Sequence, residues 1–246
     1  MWLLLLAAGL WAGIQNALAG GGSFVTLPAL ILSGLDARAA NITSTVALFP
    51  GQVTTGLANQ SLAAGAERLS FRALLAISLA GGAVGAGLLL ATPPSFFARL
   101  LPWLVLAATA IFAWGAFVRK PSAHSRPLGP VGAGAAQFLI SIYGGYFGGG
   151  IGFLMLAAFS LAGLPVRAAG ATKNLLAATM NASAVAVFVF SRDVHWLSAA
   201  ALGLGAVVGG LAGAWLLTRV NETALKIVVV TLGLALFIGL LLRPSS

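Results

Sequence analysis

The chain has no cysteine, only two histidines and only four carboxylates in 246 residues. The first absence excludes disulfides, thiol chemistry and cysteine-held metals. The carboxylates Asp36, Glu67, Asp193 and Glu222 all fall at the ends of apolar stretches. With none at mid-stretch, a cation channel, a cation transporter and a carboxylate proton relay are disfavoured. His124 lies in a polar segment and His195 beside Trp196 at a stretch end, so both read as solvated. Nothing resembles a Ser–His–Asp or zinc constellation. The glycine-rich pieces also lack the Gly-Lys-Ser/Thr ending of a nucleotide-binding loop. ATP-driven work would therefore need a separate subunit, and the expectation is a protein that is not an enzyme and carries no cofactor.

Charge of either sign is scarce. Charged residues make up 7% of the chain against 60% hydrophobic, with a mean hydropathy of +1.03. A soluble domain carries about 25% charged residues. No soluble fold of this length hides so much apolar surface, so the lipid bilayer is the solvent. Cations outnumber acids by 13 to 4. In a soluble protein that balance would suggest nucleic acid. Here the bases sit mostly at stretch ends, where they set topology, and nucleic acid is not an expected partner. Met1-Trp2-Leu3 lacks the basic region of a signal peptide and reads as a retained first segment.

Eight apolar stretches are present, near 2–33, 39–60, 72–91, 97–118, 129–162, 168–190, 197–217 and 223–242. Most have the roughly twenty residues that a spanning helix needs. The fold class expected is all-α and integral to the membrane, in two homologous four-segment halves. Residues 1–118 form the first half, 119–127 a cytoplasmic linker and 128–246 the second.

The chain repeats itself. Gly20-Gly21-Gly22-Ser23-Phe24 breaks the first stretch, and Gly148-Gly149-Gly150-Ile151-Gly152-Phe153 breaks the fifth. Gly34-Leu35-Asp36-Ala37-Arg38-Ala39-Ala40-Asn41-Ile42-Thr43 follows the first, and Gly163-Leu164-Pro165-Val166-Arg167-Ala168-Ala169-Gly170-Ala171-Thr172 the second. The offset is constant, since 163 − 34 and 172 − 43 are both 129. Paired, broken apolar segments in the two halves of a membrane protein point to a transport site where the breaks meet.

The first stretch of each half is too long for one straight helix. Residues 2–33 would reach about 48 Å against a hydrocarbon core of about 30 Å. The stretch either crosses as a steep, kinked span or enters, turns at the glycines and returns. As a span, Arg68, Arg72, Arg119, Lys120, Arg126, Arg192 and Arg243 face Arg38, Arg99, Arg167, Arg219 and Lys226. As a re-entrant segment, each half crosses three times and the halves are inverted. Arg68, Arg72, Arg119, Lys120, Arg126, Arg167, Arg219 and Lys226 then oppose Arg38, Arg99, Arg192 and Arg243. The more lopsided second division favours the re-entrant, inverted arrangement. Gly81/Gly85 and Gly209/Gly213 form another matched pair, with small residues four apart that let helices approach closely. Their contact lies within one chain or between two copies in a homodimer.

Lys173 lies a few residues inside the stretch 168–190. A lysine in hydrocarbon costs about 2.5–3.5 kcal/mol and is a functional-site hypothesis by default, although snorkelling to the interface is the plainer account. With no acid nearby it would attract an anion. Thr43, Ser44 and Thr45 match Thr172, Lys173 and Asn174; Gln52 matches Asn181, and Thr54 matches Ser183. Thr45 and Gln52 share a helix face, as do Asn174 and Asn181. These neutral, short hydrogen-bonders suit the oxygens of a small anion or zwitterion; interhelical bonding is the alternative use. The broken segments add exposed amides at half-helix N-termini, a ready anion site. Gly20, Gly21, Gly22 and Ser23, with Gly148, Gly149 and Gly150, are its backbone candidates. Tyr143 and Tyr146 precede the second run and either donate hydroxyls there or serve as interfacial aromatics.

At these residues the chain resembles the TauE/SafE family of sulfite exporters and related permeases. The likeness rests on the glycine runs, the Gly-Leu-x-x-Arg-Ala-Ala-x-x-Thr pieces and the glycine-rich third segment of each half, and covers nearly the whole chain. The resemblance implies a secondary transporter in a bacterial plasma membrane, carrying a small anion such as sulfite, an organosulfonate or a small carboxylate. It maps onto the glycine runs, Thr43, Thr172 and Lys173. The first run is one residue shorter than the second, so the halves need not contribute equally. A passive anion channel and a membrane assembly or scaffold protein are the alternatives. A proton is the default coupling ion for such a carrier, yet no mid-membrane carboxylate supports it.

Overall fold

The computed structural model describes all residues except 19, 59, 67, 115–116, 118–128, 163, 217–221 and 243–246. The linker, Glu67 and His124 therefore lie outside the described residues. The described chain is helical, with one isolated bridge between Ala66 and Leu69. The helices are α1 (Trp2–Leu18), α2 (Ser23–Leu32), α3 (Ala37–Ala58), α4 (Phe71–Ala91), α5 (Pro94–Ala113), α6 (Gly129–Tyr146), α7 (Ile151–Leu161), α8 (Val166–Phe188), α9 (Trp196–Leu216) and α10 (Glu222–Leu242).

Local chemistry fixes most of the ends. Asp36 caps α3, its Oδ1 accepting from the amides of Arg38 at 2.9 Å and Ala39 at 3.1 Å. Ser70 caps α4 through the amide of Ala73. Pro93 and Pro165 stand just before α5 and α8. The first and fifth stretches break where glycines take positive φ, at Gly20 (86°) and Gly21 (79°) and at Gly148 (77°) and Gly150 (79°). The first stretch returns to the end where it began: Met1, Trp2 and Leu5 share a pocket with Ser33, His195 and Trp196. It is a hairpin of two helices, not a kinked span.

Among the described residues, three helices are long and apolar enough to cross a membrane by themselves: Phe71–Ala91, Pro94–Ala113 and Trp196–Gly213. α3 and α8 are as long, at 22 and 23 residues, but polar. They lie side by side and antiparallel, with Gln52 against Asn181 and Gly56 against Asn174. Apolar helices cover them. α9 packs on α1 and α3, and α4 packs on α6 and α8. α5 and α10 pack on each other. Each of these pairings survives exchange of α1–α5 for α6–α10.

The glycine pairs of α4 and α9 face neighbours within the chain. Gly81 and Gly85 take the backbone of α6, around Phe138, Ile142 and Tyr146. Gly209 and Gly213 take that of α1, around Leu10 and Ile14. A methyl on Gly209 would stand 1.9 Å from the Leu10 carbonyl oxygen, whereas one on Gly87 meets nothing within 4 Å. Gly209→Ala should therefore lower the melting temperature of the purified protein, at the overpacking cost of about 1–3 kcal/mol. Gly87→Ala, which gains helix propensity, should leave it unchanged or raise it by up to about 1 kcal/mol. Equal melting of the two variants would show that α1 and α9 do not meet this closely.

Candidate functional site

The two hairpin tips meet. A Cβ on Gly20 would touch Gly152 Cα at 3.5 Å, and the Phe24 ring lies beside Gly149 and Gly150. Both tips are pinned the same way. Gln15 Nε2 donates to the Gly21 carbonyl at 3.1 Å, and the Tyr143 hydroxyl donates to the Gly149 carbonyl at 3.0 Å. Gln15 and Tyr143 are 128 apart in sequence, as are Gly21 and Gly149. Asn16 Oδ1 accepts from the Gly22 amide at 2.8 Å. The amides of Gly21, Ser23, Gly149, Gly150, Ile151 and Gly152 donate to no acceptor among the described residues. α2 and α7 thus present their N-termini, with free amides and positive dipole ends, to the middle of the molecule.

Beside the tips, Asn181 Nδ2 donates to Gln52 Oε1. The two residues are separated by 129, the repeat offset itself, so equivalent side chains touch across the line that relates α3 to α8. Asn181 is 3% exposed and its Oδ1 has no partner. Gln15 is 2% exposed and its Oε1 is also unpartnered.

The remaining sequence candidates are distributed outward from this centre. Lys173 is 5% exposed and makes no ion pair or hydrogen bond among the described residues. Its counterpart by the 129 offset is Ser44, whose hydroxyl bonds that of Thr26 on α2. Asn174 lies half-buried one residue on. The Thr45 hydroxyl donates to the Asn41 carbonyl within its own helix. Thr43 and Thr172 stand at opposite ends, tied to loops. Thr43 Oγ1 donates to the Asp193 carbonyl at 3.3 Å and accepts from the His195 amide. Thr172 Oγ1 donates to the Ala64 carbonyl at 3.2 Å and accepts from the Ala64 amide.

The ends differ in charge and plugging. At one, Arg38 pairs with Asp193 at 2.9 Å and caps α4 through the Thr92 carbonyl at 2.8 Å. Below it, Asn41 Nδ2 donates to the Tyr146 carbonyl, and Tyr146 reaches Thr92 and packs edge-on against Phe97. At the other end the counterparts are Arg167, exposed; Ala64, with no carboxylate; and Gly170, whose missing side chain leaves open space.

Two helix N-termini facing each other beside buried polar side chains is an arrangement that transporters use for their sites. The family model for the sulfite exporter TauE/SafE matches residues 5–240, and the chain belongs to that family. It is similar to the probable membrane transporter protein ORF9 of a Sinorhizobium species, 32% identical over 98% of this chain and 92% of that one. It is also similar to a probable membrane transporter protein of Haemophilus influenzae, 25% identical over 92% of this chain and 89% of the other. A third relative is the probable membrane transporter protein YfcA of Escherichia coli, at 24% over 89% and 81%. No solved structure matches.

Gln15, Asn16 and Asn41 were not among the sequence candidates. The readable signal was two adjacent amides five residues ahead of a glycine run, and only their backbone partners explain them. A double-mutant cycle on Gln52→Ala and Asn181→Ala should give a coupling of about 0.5–1.5 kcal/mol in detergent unfolding. Strict additivity would mean that the two polar helices are not joined at this point.

Proposed function

We propose that the protein is a secondary transporter of a small anion, such as sulfite, an organosulfonate or a small carboxylate, in the plasma membrane of a bacterium. The observation that carries this reading is the meeting of two glycine-broken hairpins whose free amides face one another. Of the candidate tip residues, Gly21, Ser23, Gly149 and Gly150 supply amide donors to the anion's oxygens, while the amides of Gly20, Gly22 and Gly148 are bonded to Gln15, Asn16 and Tyr143 and shape the tips. Gln52, Asn181, Thr45 and Asn174 supply the side-chain wall, and Lys173 the charge. Thr43 and Thr172 hold the two loops that border the way in. The exchange of packing between α1–α5 and α6–α10, together with the antiparallel α3 and α8, favours inverted homologous halves. In such a pair each half rocks against the other about a fixed site.

Membership of a transporter family speaks against an enzyme. A carrier is favoured over a channel by the Arg38–Asp193 pair and the Asn41–Tyr146 contact at one end, which have no equivalents among the described residues at the other. Purified protein in liposomes should take up a labelled organosulfonate with saturation and counterflow, and single-channel currents would instead identify a channel. Lys173→Ala should reduce uptake by at least about tenfold, about 1.4 kcal/mol, while the elution profile and melting stay unchanged. Normal uptake by the variant would remove Lys173 from the site. Since the chain has no native cysteine, a single cysteine at Gln52 reports access directly. Asp193→Asn should raise its labelling from the Arg38 side by severalfold, and unchanged labelling would show that the ion pair is no gate.

A further inference from the structure

The centre holds two kinds of unsatisfied group. The unbonded amides of the tips are donors, and Lys173 adds a cation outward of them. Gln15 Oε1 and Asn181 Oδ1 are buried acceptors without a donor. A buried carbonyl oxygen without a donor keeps the cost of leaving water, so a ligand that satisfies it is favoured. A fully deprotonated, donor-free anion satisfies only the first kind.

Gln15 is placed to meet the same ligand as Asn181. Its Nε2 is committed to the Gly21 carbonyl, which fixes its amide beside the tip of the first hairpin and sets which atom is left over. Two residues earlier on α1, a methyl on Gly13 would lie 2.2 Å from the Ala206 carbonyl oxygen. One on Gly51 of α3, next to Gln52, would lie 3.3 Å from that oxygen. α1 and α3 therefore close on the same turn of α9, and Gln15 stands within about one helical turn of the Gln52–Asn181 pair along the helix axes. Tyr143, the counterpart of Gln15, spends a hydroxyl on the Gly149 carbonyl and has no second polar atom to leave over. The centre is thus lopsided, with its acceptor on the α1 side.

Resting on the anion reading above, we propose that Gln15 is a specificity residue whose Oε1, with Asn181 Oδ1, accepts hydrogen bonds from the cargo. The cargo is then an anion that carries its own O–H or N–H donor: a hydroxy- or amino-alkanesulfonate, a hydroxycarboxylate or a hydrogen oxyanion. A donor-free anion of the same size is discriminated against, because a site built to bond a donor rejects the analogue lacking it.

Two matched probe pairs test this on the full-length protein in liposomes: isethionate against ethanesulfonate, and glycolate against acetate. Competition against uptake gives each affinity. The expected result is at least tenfold tighter binding of the hydroxylated member of each pair. Gln15→Met should cut that ratio at least threefold. Tyr143→Phe removes the equivalent pin on the second tip without touching an unpartnered acceptor. It should weaken both members alike and keep the ratio. Equal affinity within the wild-type pairs overturns the assignment even if Gln15→Met fails to fold. A Gln15→Met variant that lowers both members equally, as Tyr143→Phe does, also overturns it and leaves Gln15 a structural pin. Failure of all four probes to compete in the wild type, while a fully deprotonated labelled oxyanion such as sulfate is still transported, likewise overturns it. Absence of transport of any anion would remove the anion reading itself, and this inference with it.

Discussion

Breaking a helix inside hydrocarbon releases backbone amides and carbonyls that lipid cannot satisfy. Each exposed group costs several kcal/mol, so non-helical backbone at membrane depth survives only where protein or a polar cavity covers it. The rest of the architecture follows from having two such breaks. The breaks at Gly20–Gly21 and Gly148–Gly150 face each other, so each covers part of the other. Their carbonyls are met by Gln15 and Tyr143. α3 and α8 can be polar because they lie against the breaks and not against lipid. α4 and α9 must be apolar outside and glycine-rich inside, because they close over these pairs.

Close approach makes the covering possible. In lipid no hydrophobic drive pushes helices together, so packing contact and small residues take over. Gly9 and Gly13 of α1 meet α9, and Gly205, Gly209 and Gly213 of α9 meet α1. Gly81 and Gly85 do the same for α4 against α6. Such contacts leave no room for a side chain. They clamp α1 to α9 and α6 to α4, which holds the tips in place. The tips themselves need the positive φ that glycine supplies.

Much of this was legible in the sequence. Stretch boundaries fell within a few residues of the helices, and the paired glycine runs announced both breaks and their meeting. The repeat offset of 129 anticipated that Gln52 and Asn181 correspond, and the structure shows that they touch. The choice between a kinked span and a hairpin was not readable from length alone; the shared pocket of Met1 and Ser33 decides it. Other roles were hidden because their partners are backbone groups with no sequence signature. Gln15 binds the Gly21 carbonyl, and Thr43 and Thr172 bind loops 150 and 108 residues away. The Arg38–Asp193 pair was hidden for a different reason. It joins two stretch ends whose proximity depends on the exchange of helices between halves.

The departures from the repeat matter as much as the repeat. A perfectly two-fold arrangement would present the same face at both ends and hold no charge bias along α3 and α8. Here Lys173 stands where the first half has Ser44, Ala64 where the second has Asp193, and Gly170 where the first has Asn41. The substitutions act together along α3 and α8. One end gains an ion pair and an amide contact; the other has neither among the described residues, and its cation makes no ion pair among them. An unpaired charge in a buried site is a standing cost of several kcal/mol. Under the anion reading proposed above, a counter-charge carried by the cargo would offset it.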